Sequence, residues 1–400
     1  MRYRRPARPI EGTPAFGTYA MFSADETIFA GHPFSTIGTA AHMRSHLRAA
    51  GRALLQPQVL DIYKYAERSD PDCRELVLGR ETQGLPRGSI RVFYINGDEA
   101  SGALKRLNDL GEPVSDGFNI VVPFWELPHY PREWAEQLNR FDAVWASSEF
   151  IRESLRTAGI EAPVVGGSVE IAAKPFLSRR RFQIRESAFA FLTFFDTTSF
   201  ATRKNPQAVL DMFAQLKKRK PLDDLQLILK VKSGDANAAE LARRFEGEGV
   251  MVISEPLTNF ETESLVAAVD CFVSLHRSEG FCRGAGEAMS LGRLAMGTGW
   301  SGNVDFMSSG NSLLVNYALV PVGEDQYPHW RGQHWAEPDI DHAVHLAIRA
   351  IDDASWRESL TQQARMDIIS SHGDTAIGLK ILRELEAVAS RSSARGACSP

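Results

Sequence analysis

Around Arg91 the chain begins to alternate short apolar runs with amphipathic stretches: IRVFYI, FNIVVPFW, REWAEQLNRF, AVWASS, EFIRESLRTAG and APVVGG. Runs of a few apolar residues separated by helix-length segments predict buried parallel strands joined by helical crossovers. Upstream, TAAHMRSHLRAAG (39–51) spaces its apolar residues as a helix does and stops at Gly51, after the loop FSTIG. Periodicity fades between Ile171 and Arg185, where three arginines stand together, so the domain junction is placed there. A second series follows: strand AFAFLTFFD, helix NPQAVLDMFAQLKKRK with Pro206 at its start, strand LQLILKVK, helix NAAELARRFEGEG, strand VMVIS, helix FETESLVAAVD, strand CFVSLH, helix GEAMSLG and strand LAMGTG. The expected fold is α/β, with two tandem Rossmann-like domains facing across a cleft. Residues 1–172 form the first domain and 173–370 the second; 371–400 hold a late helix placed to cross back to the first domain, then a disordered tail, SSARGACSP.

Length agrees with this division, since 400 residues exceed the roughly 100 to 200 typical of one domain. The charge balance, 45 Lys and Arg against 50 Asp and Glu, gives no global attraction to nucleic acid. Four cysteines (Cys73, Cys271, Cys282, Cys398) lack paired spacing and the ten histidines are read as forming no ligand cluster, so neither a disulfide framework nor a zinc site is expected. No run reaches the roughly 18 apolar residues of a membrane span, and no signal-peptide core opens the chain. A cytoplasmic protein is expected. The basic MRYRRPARP arm is read as solvated, with peripheral contact to the inner face of an anionic membrane as its alternative.

Chemistry concentrates in SEGFCRGAGEAM (278–289), where Glu279 and Glu287 flank a glycine-rich, cationic loop. Two such carboxylates are an acid/base pair, two unrelated surface charges, or two grips on one polar ligand. The loop follows a predicted parallel strand and leads into a helix, the place where such sheets bind ligands. Its successive amides, Gly280 to Gly286, make an anion site of the kind phosphate occupies, and carboxylates suit paired hydroxyls. A diphosphate with vicinal diols is a nucleotide sugar. FFDTTSFATRKNP ends a strand and sets Arg203 and Lys204 beside a helix start, where two cations would stabilise a diphosphate leaving group. Asp339 and Asp341 have the D-x-D spacing of a metal site, but Pro338-Asp339 opens an amphipathic helix and capping is the preferred reading. Cys282 has no histidine placed by sequence to activate it as a nucleophile.

DCFVSLHRSEGFCRGAGEAMSLGRLAMGTGWSGNVDFM resembles the donor-binding core of the retaining glycosyltransferases of family 4, which have the GT-B fold. FDTTSFATRKNP and FWELPHYPREW…FDAVWASSEFIRESL resemble the branch of that family that builds bacterial surface polysaccharides, and the likeness runs from about Phe124 to Ala350. It implies that Glu279 contacts the donor sugar, Glu287 the ribose, and Gly280, Phe281 and Cys282 the sugar and distal phosphate, with Arg283 in the same donor loop. Lys204 and Arg203 hold the diphosphate; the family's arginine usually falls where this chain has Ser199. Gly38 stands in the acceptor-side loop. Cys282 replaces a frequent glycine; many members also carry a histidine after the strand that here reads IVVPFWELP, where this chain offers Trp125-Glu126 with His129 nearby, so no catalytic histidine is assigned and Glu126 is the acceptor-side candidate. The implied activity is retaining, metal-independent hexosyl transfer from a UDP- or GDP-sugar to a glycan or lipid-linked glycan, with no cofactor. A nucleotide-sugar-binding protein without transfer, or an epimerase or hydrolase of the same architecture, is the alternative.

Overall fold

The computed structural model describes residues 27–35, 37–64, 71–112, 114–172, 174, 176–196, 201–232, 247 and 249–396. Ser199, the N-terminal arm and residues 397–400 lie outside them, as does the predicted helix NAAELARRFEGEG for all but its Gly247 and Gly249.

Strands β1 (Thr27–Gly31), β2 (Gln58–Asp61), β3 (Ile90–Phe93), β4 (Phe118–Val121) and β5 (Ala143–Val144) form a parallel sheet ordered β2-β1-β3-β4-β5. Helices α1 (Gly38–Arg52), α2 (Pro71–Val77), α3 (Gly97–Asp109), α4 (Arg132–Leu138) and α5 (Glu149–Thr157) connect and flank it. APVVGG, expected as a strand, supplies only an isolated bridge from Val164 to Ala146.

The second parallel sheet comprises β6 (Phe189–Asp196), β7 (Leu225–Lys232), β8 (Val250–Ile253), β9 (Cys271–Ser274), β10 (Leu294–Thr298) and β11 (Leu313–Val315), ordered β11-β10-β9-β6-β7-β8. Its helices are α6 (Ala201–Lys204), α7 (Pro206–Arg219), α8 (Asn259–Ala268) and α9 (Arg283–Ser290). An antiparallel pair, β12 (Tyr317–Pro321) and β13 (His334–Pro338), precedes α10 (Ile340–Asp352), α11 (Ala354–His372) and α12 (Asp374–Gly396).

The two-residue period of a strand explains how β6 holds two layers together. Phe191 and Phe195 pack with Phe213 of α7, whereas Ala190 and Leu192 join Val266 of α8 and Ile368 of α11. Both faces are covered, so the strand reads as a continuous apolar run. The chain passes from one domain to the other near Gly166: Val165 packs in the core of the first domain and Val169 in that of the second. After Gly373 it returns. Ile377, Ile381, Leu385 and Val388 of α12 pack with Met43 and Leu47 of α1. The last helix therefore completes the first domain, and it runs through Ser392–Gly396, into the segment expected to be disordered.

Candidate active site

In the second sheet the chain builds outward from β6 in both directions, to β7 and β8 on one side and to β9, β10 and β11 on the other. Such a reversal leaves a crevice beyond the carboxyl ends of the two strands at the switch. The β6–α6 segment brings Arg203 and Lys204 to that crevice, and the β9–α9 segment brings Glu279. Asn205 adopts a left-handed conformation and Pro206 opens α7, so α6 is limited to a single turn carrying both cations.

Arg203 is 4% exposed and Glu279 7%. Arg203 donates from Nη1 to the Ser278 carbonyl at 2.8 Å and meets Glu279 Oε2 at 3.2 Å, while Lys204 Nζ donates to Glu279 Oε1. Ser301 Oγ accepts from the Glu279 amide at 2.9 Å, and Gly302 N–H donates to the Glu279 carbonyl at 2.9 Å. Burial pushes the Glu279 carboxyl up, but Lys204 and Arg203 more than reverse this and hold it at about 2. The first domain contributes Glu126, whose Oε2 accepts from Tyr327 Oη at 2.6 Å and whose Oε1 lies 3.9 Å from Arg203 Nη2. Glu279, Lys204, Arg203 and Glu126 thus form one cluster of two cations and two carboxylates spanning both domains. The cations expected to hold a diphosphate are here paired with the carboxylate expected to hold the sugar.

The donor loop departs from its expected form. Helix α9 begins at Arg283, so Gly284 and Gly286 are helical and Glu287 stands in the second turn rather than the first. The glycines serve packing: a Cβ on Gly284 would meet Phe272 at 2.6 Å, and one on Gly286 would meet Val169 at 2.9 Å. Only Gly280, Phe281 and Cys282 remain as loop. Their amides, with that of Arg283, donate to no acceptor among the described residues, as first-turn amides do when a ligand or water must receive them. The Gly280 carbonyl accepts from Ser148 Oγ, the N-cap of α5, at 2.6 Å. Phe281 is buried against Phe306 and His372 at 5.6 and 5.8 Å. Cys282 is left-handed at φ 63°, a conformation that favours glycine, and burial pushes its thiol up to about 12. A neutral thiol is no nucleophile.

Arg283 does not face the Glu279 cluster. It donates to the Ser168 carbonyl at 2.7 Å and to Ser45 Oγ of α1 at 3.0 Å, and lies 3.6 Å from Glu287. Burial brings its guanidinium down to about 10, and burial raises the Glu287 carboxyl. Arg44 and Arg48, whose charges act on this pair, line a cavity of about 450 Å³ between the domains together with Lys174, Asn259, Phe260 and Glu263 among others. Gly38 opens α1, and among the described residues no neighbouring group outside its own helix lies within 4 Å of where its Cβ would be.

Three features escaped the sequence reading. Tyr327, the partner of Glu126, lies some 200 positions away in a segment without a motif. His276, two residues past β9, is buried between Ser274 and Asn303, its Nε2 3.1 Å from Asn303 Oδ1. His42 and His46 stand four apart on α1 with ring centroids 4.3 Å apart, a spacing visible in the sequence and passed over. His46 uses both nitrogens, toward Tyr94 Oη at 2.9 Å and the Gly166 carbonyl at 2.8 Å. Burial lowers it to about 4, so the pair belongs to the packed domain junction. Asp339 caps α10, accepting from His342 N–H at 3.0 Å, and Asp341 pairs with Arg219.

Two parallel-sheet α/β domains, a cleft with its site at the second switch point and a final helix that returns to the first domain define the GT-B fold of glycosyltransferases. HepE of Anabaena, solved with UDP and glucose, matches with a TM-score of 0.64 at 13% identity, over 90% of this chain and 99% of that one. Sucrose-phosphate synthase of Thermosynechococcus elongatus matches with a TM-score of 0.63 at 12% identity, over 92% and 100%. Staphylococcus aureus TarM, solved with UDP and α-GlcNAc-glycerol, matches with a TM-score of 0.53 at 12% identity, over 74% and 55%. No family model matches the sequence, and no curated protein does. At these identities the likeness establishes the fold.

Proposed function

We propose that the protein is a retaining, metal-independent glycosyltransferase that moves a hexose from a UDP- or GDP-sugar to a hydroxyl of a glycan or lipid-linked glycan. The observation that carries this reading is the convergence of Arg203, Lys204 and Glu279 at the switch point of the second domain, with Glu126 opposite them on the first. The similar folds solved with UDP support the donor class.

On this reading the diphosphate enters against Lys204, Arg203 and the unpartnered amides of residues 280–283. Lys204, 27% exposed in its side chain, is the more accessible cation and exchanges its bond to Glu279 for one to phosphate. Glu279, ionised throughout the physiological range, then accepts from hydroxyls of the donor sugar. Glu287, paired with Arg283, takes the ribose. As the sugar–phosphate bond breaks, negative charge grows on the departing diphosphate, and two fixed cations stabilise it there. The same diphosphate receives the proton of the incoming hydroxyl on the face it leaves, so configuration is retained. A glycosidase-type action of the Glu279 and Glu287 pair is disfavoured, because Glu279 is committed to two cations and Glu287 to Arg283, so the two carboxyls do not oppose one another across a bond.

A donor-binding protein without transfer is the second reading, favoured by the full neutralisation of Lys204 and Arg203 and by the burial of the Gly280 loop beneath Ser148. The two separate on turnover. With UDP-glucose, UDP-GlcNAc or GDP-mannose and an acceptor panel, wild-type protein should release nucleoside diphosphate in an acceptor-dependent, EDTA-insensitive way. Glu279→Gln and Lys204→Ala should each lower the rate about 100-fold or more while remaining folded. Wild-type rates in both variants would sink the assignment; tight donor binding without turnover would select the second reading.

A further inference from the structure

Four rings make a strip across the junction between the two domains. Phe150 on α5 and His129 after β4 belong to the first domain; Trp300 after β10 and His334 at the start of β13 belong to the second. Ring centroids lie 5.1 Å apart from Phe150 to Trp300, 6.2 Å from Trp300 to His334, and 6.5 Å from His334 to His129. Phe150, Trp300 and His334 are partly exposed and His129 is exposed. Their polar edges are also available: the Trp300 indole N–H and the ring nitrogens of His129 and His334 have no partner among the described residues. The buried Trp125 behaves differently, donating from its indole to the His129 carbonyl at 2.9 Å.

Rings with accessible faces and unspent polar edges have the chemistry that receives a sugar, whose ring presents apolar C–H faces and a hydroxyl rim. The strip is continuous with the candidate active site. The Trp300 carbonyl lies 3.3 Å from His276 Nε2, and the next residue, Ser301, receives the Glu279 amide. The four rings are tilted or edge-on to one another, with interplanar angles of 69°, 47° and 80°. They do not stack face to face and so leave faces for a ligand.

We propose that Phe150, Trp300, His334 and His129 form the platform on which sugar rings of the glycan acceptor rest, with the reacting end directed past Trp300 toward Glu279. This rests on the glycosyltransferase reading and deepens it. Because the strip draws on both domains, it is complete only when they are closed, which couples acceptor binding to closure.

The test uses the full chain and maltohexaose, cellohexaose and mannohexaose as probes, followed by tryptophan fluorescence and saturation-transfer NMR with UDP present and absent. At least one hexasaccharide should bind wild-type protein. Trp300→Ala and Phe150→Ala should each weaken that binding tenfold or more, Trp300→Phe by less than threefold, and UDP affinity by calorimetry should be the same in all. Equal glycan binding by wild type and both alanine variants overturns the platform, as does a wild type that binds UDP but none of the three glycans. A wild type that binds glycan through Trp300 but no nucleotide would instead retain the platform and remove the donor reading. Thermal melting identifies a misfolded variant, and Phe150, at the exposed start of its helix, provides the independent measurement.

Discussion

Glu279 carries two ion pairs within a buried pocket, and its stability contribution has a defined sign. Its carboxyl sits at about 2, against 4.5 for the free group. A depressed carboxyl stabilises the fold above the unfolded value and loses that contribution as pH falls from about 4.5 toward 2. The shift corresponds to about 3 kcal/mol at neutral pH. Glu279→Gln, which leaves Lys204 and Arg203 facing a neutral amide, should therefore unfold at a lower urea concentration than wild type at pH 7. The gap between the two should narrow at pH 3. A gap that is constant across this range would show that the ion pairs contribute little. The pair of glutamates flanking a glycine-rich loop made Glu279 visible in the sequence. Its partners were visible only as neighbouring basic residues, because a contact over 75 positions is set by sheet order and leaves no local pattern.

At the scale of elements, the β10–β11 connection and the donor loop meet backbone to backbone. A Cβ on Gly302 would lie 2.0 Å from the Gly280 carbonyl oxygen, a contact that no side-chain adjustment relieves. Gly302→Ala should cost about 3 kcal/mol by urea unfolding and displace the Glu279 loop, with loss of transfer. A variant as stable and active as wild type would mean that the two loops separate readily. The same element shows where local reading fails. GAG at 284–286 suggested a flexible loop because glycine is a poor helix former. Packing against Phe272 and Val169 outweighs that propensity and makes the segment helical. Where propensity and tertiary context agreed, boundaries were legible: Pro206 opens α7, and Asp339 caps α10.

For the whole molecule, the returning helix α12 makes the first domain depend on the last residues of the chain. Ile381 is fully buried against that domain, so Ile381→Ala should cost about 2–5 kcal/mol. Hydrogen exchange should show the loss in β1, β3 and α1, with β6, β7 and β9 little changed. Equal loss in both sheets would indicate a single cooperative unit instead. By itself, the sequence determined the alternation of buried strands and amphipathic helices, hence two parallel-sheet domains, because apolar periodicity is a local property. It also determined which segments end at the ligand-binding edge of the second sheet. Only the tertiary structure decided that Glu279 closes on Arg203 and Lys204, that Glu126 lies beside Arg203 with Tyr327 bonded to its other oxygen, and that Glu287 turns instead toward Arg283. Those contacts depend on strand order, which pairing within each sheet sets, and on the approach of the two domains, which packing between them sets.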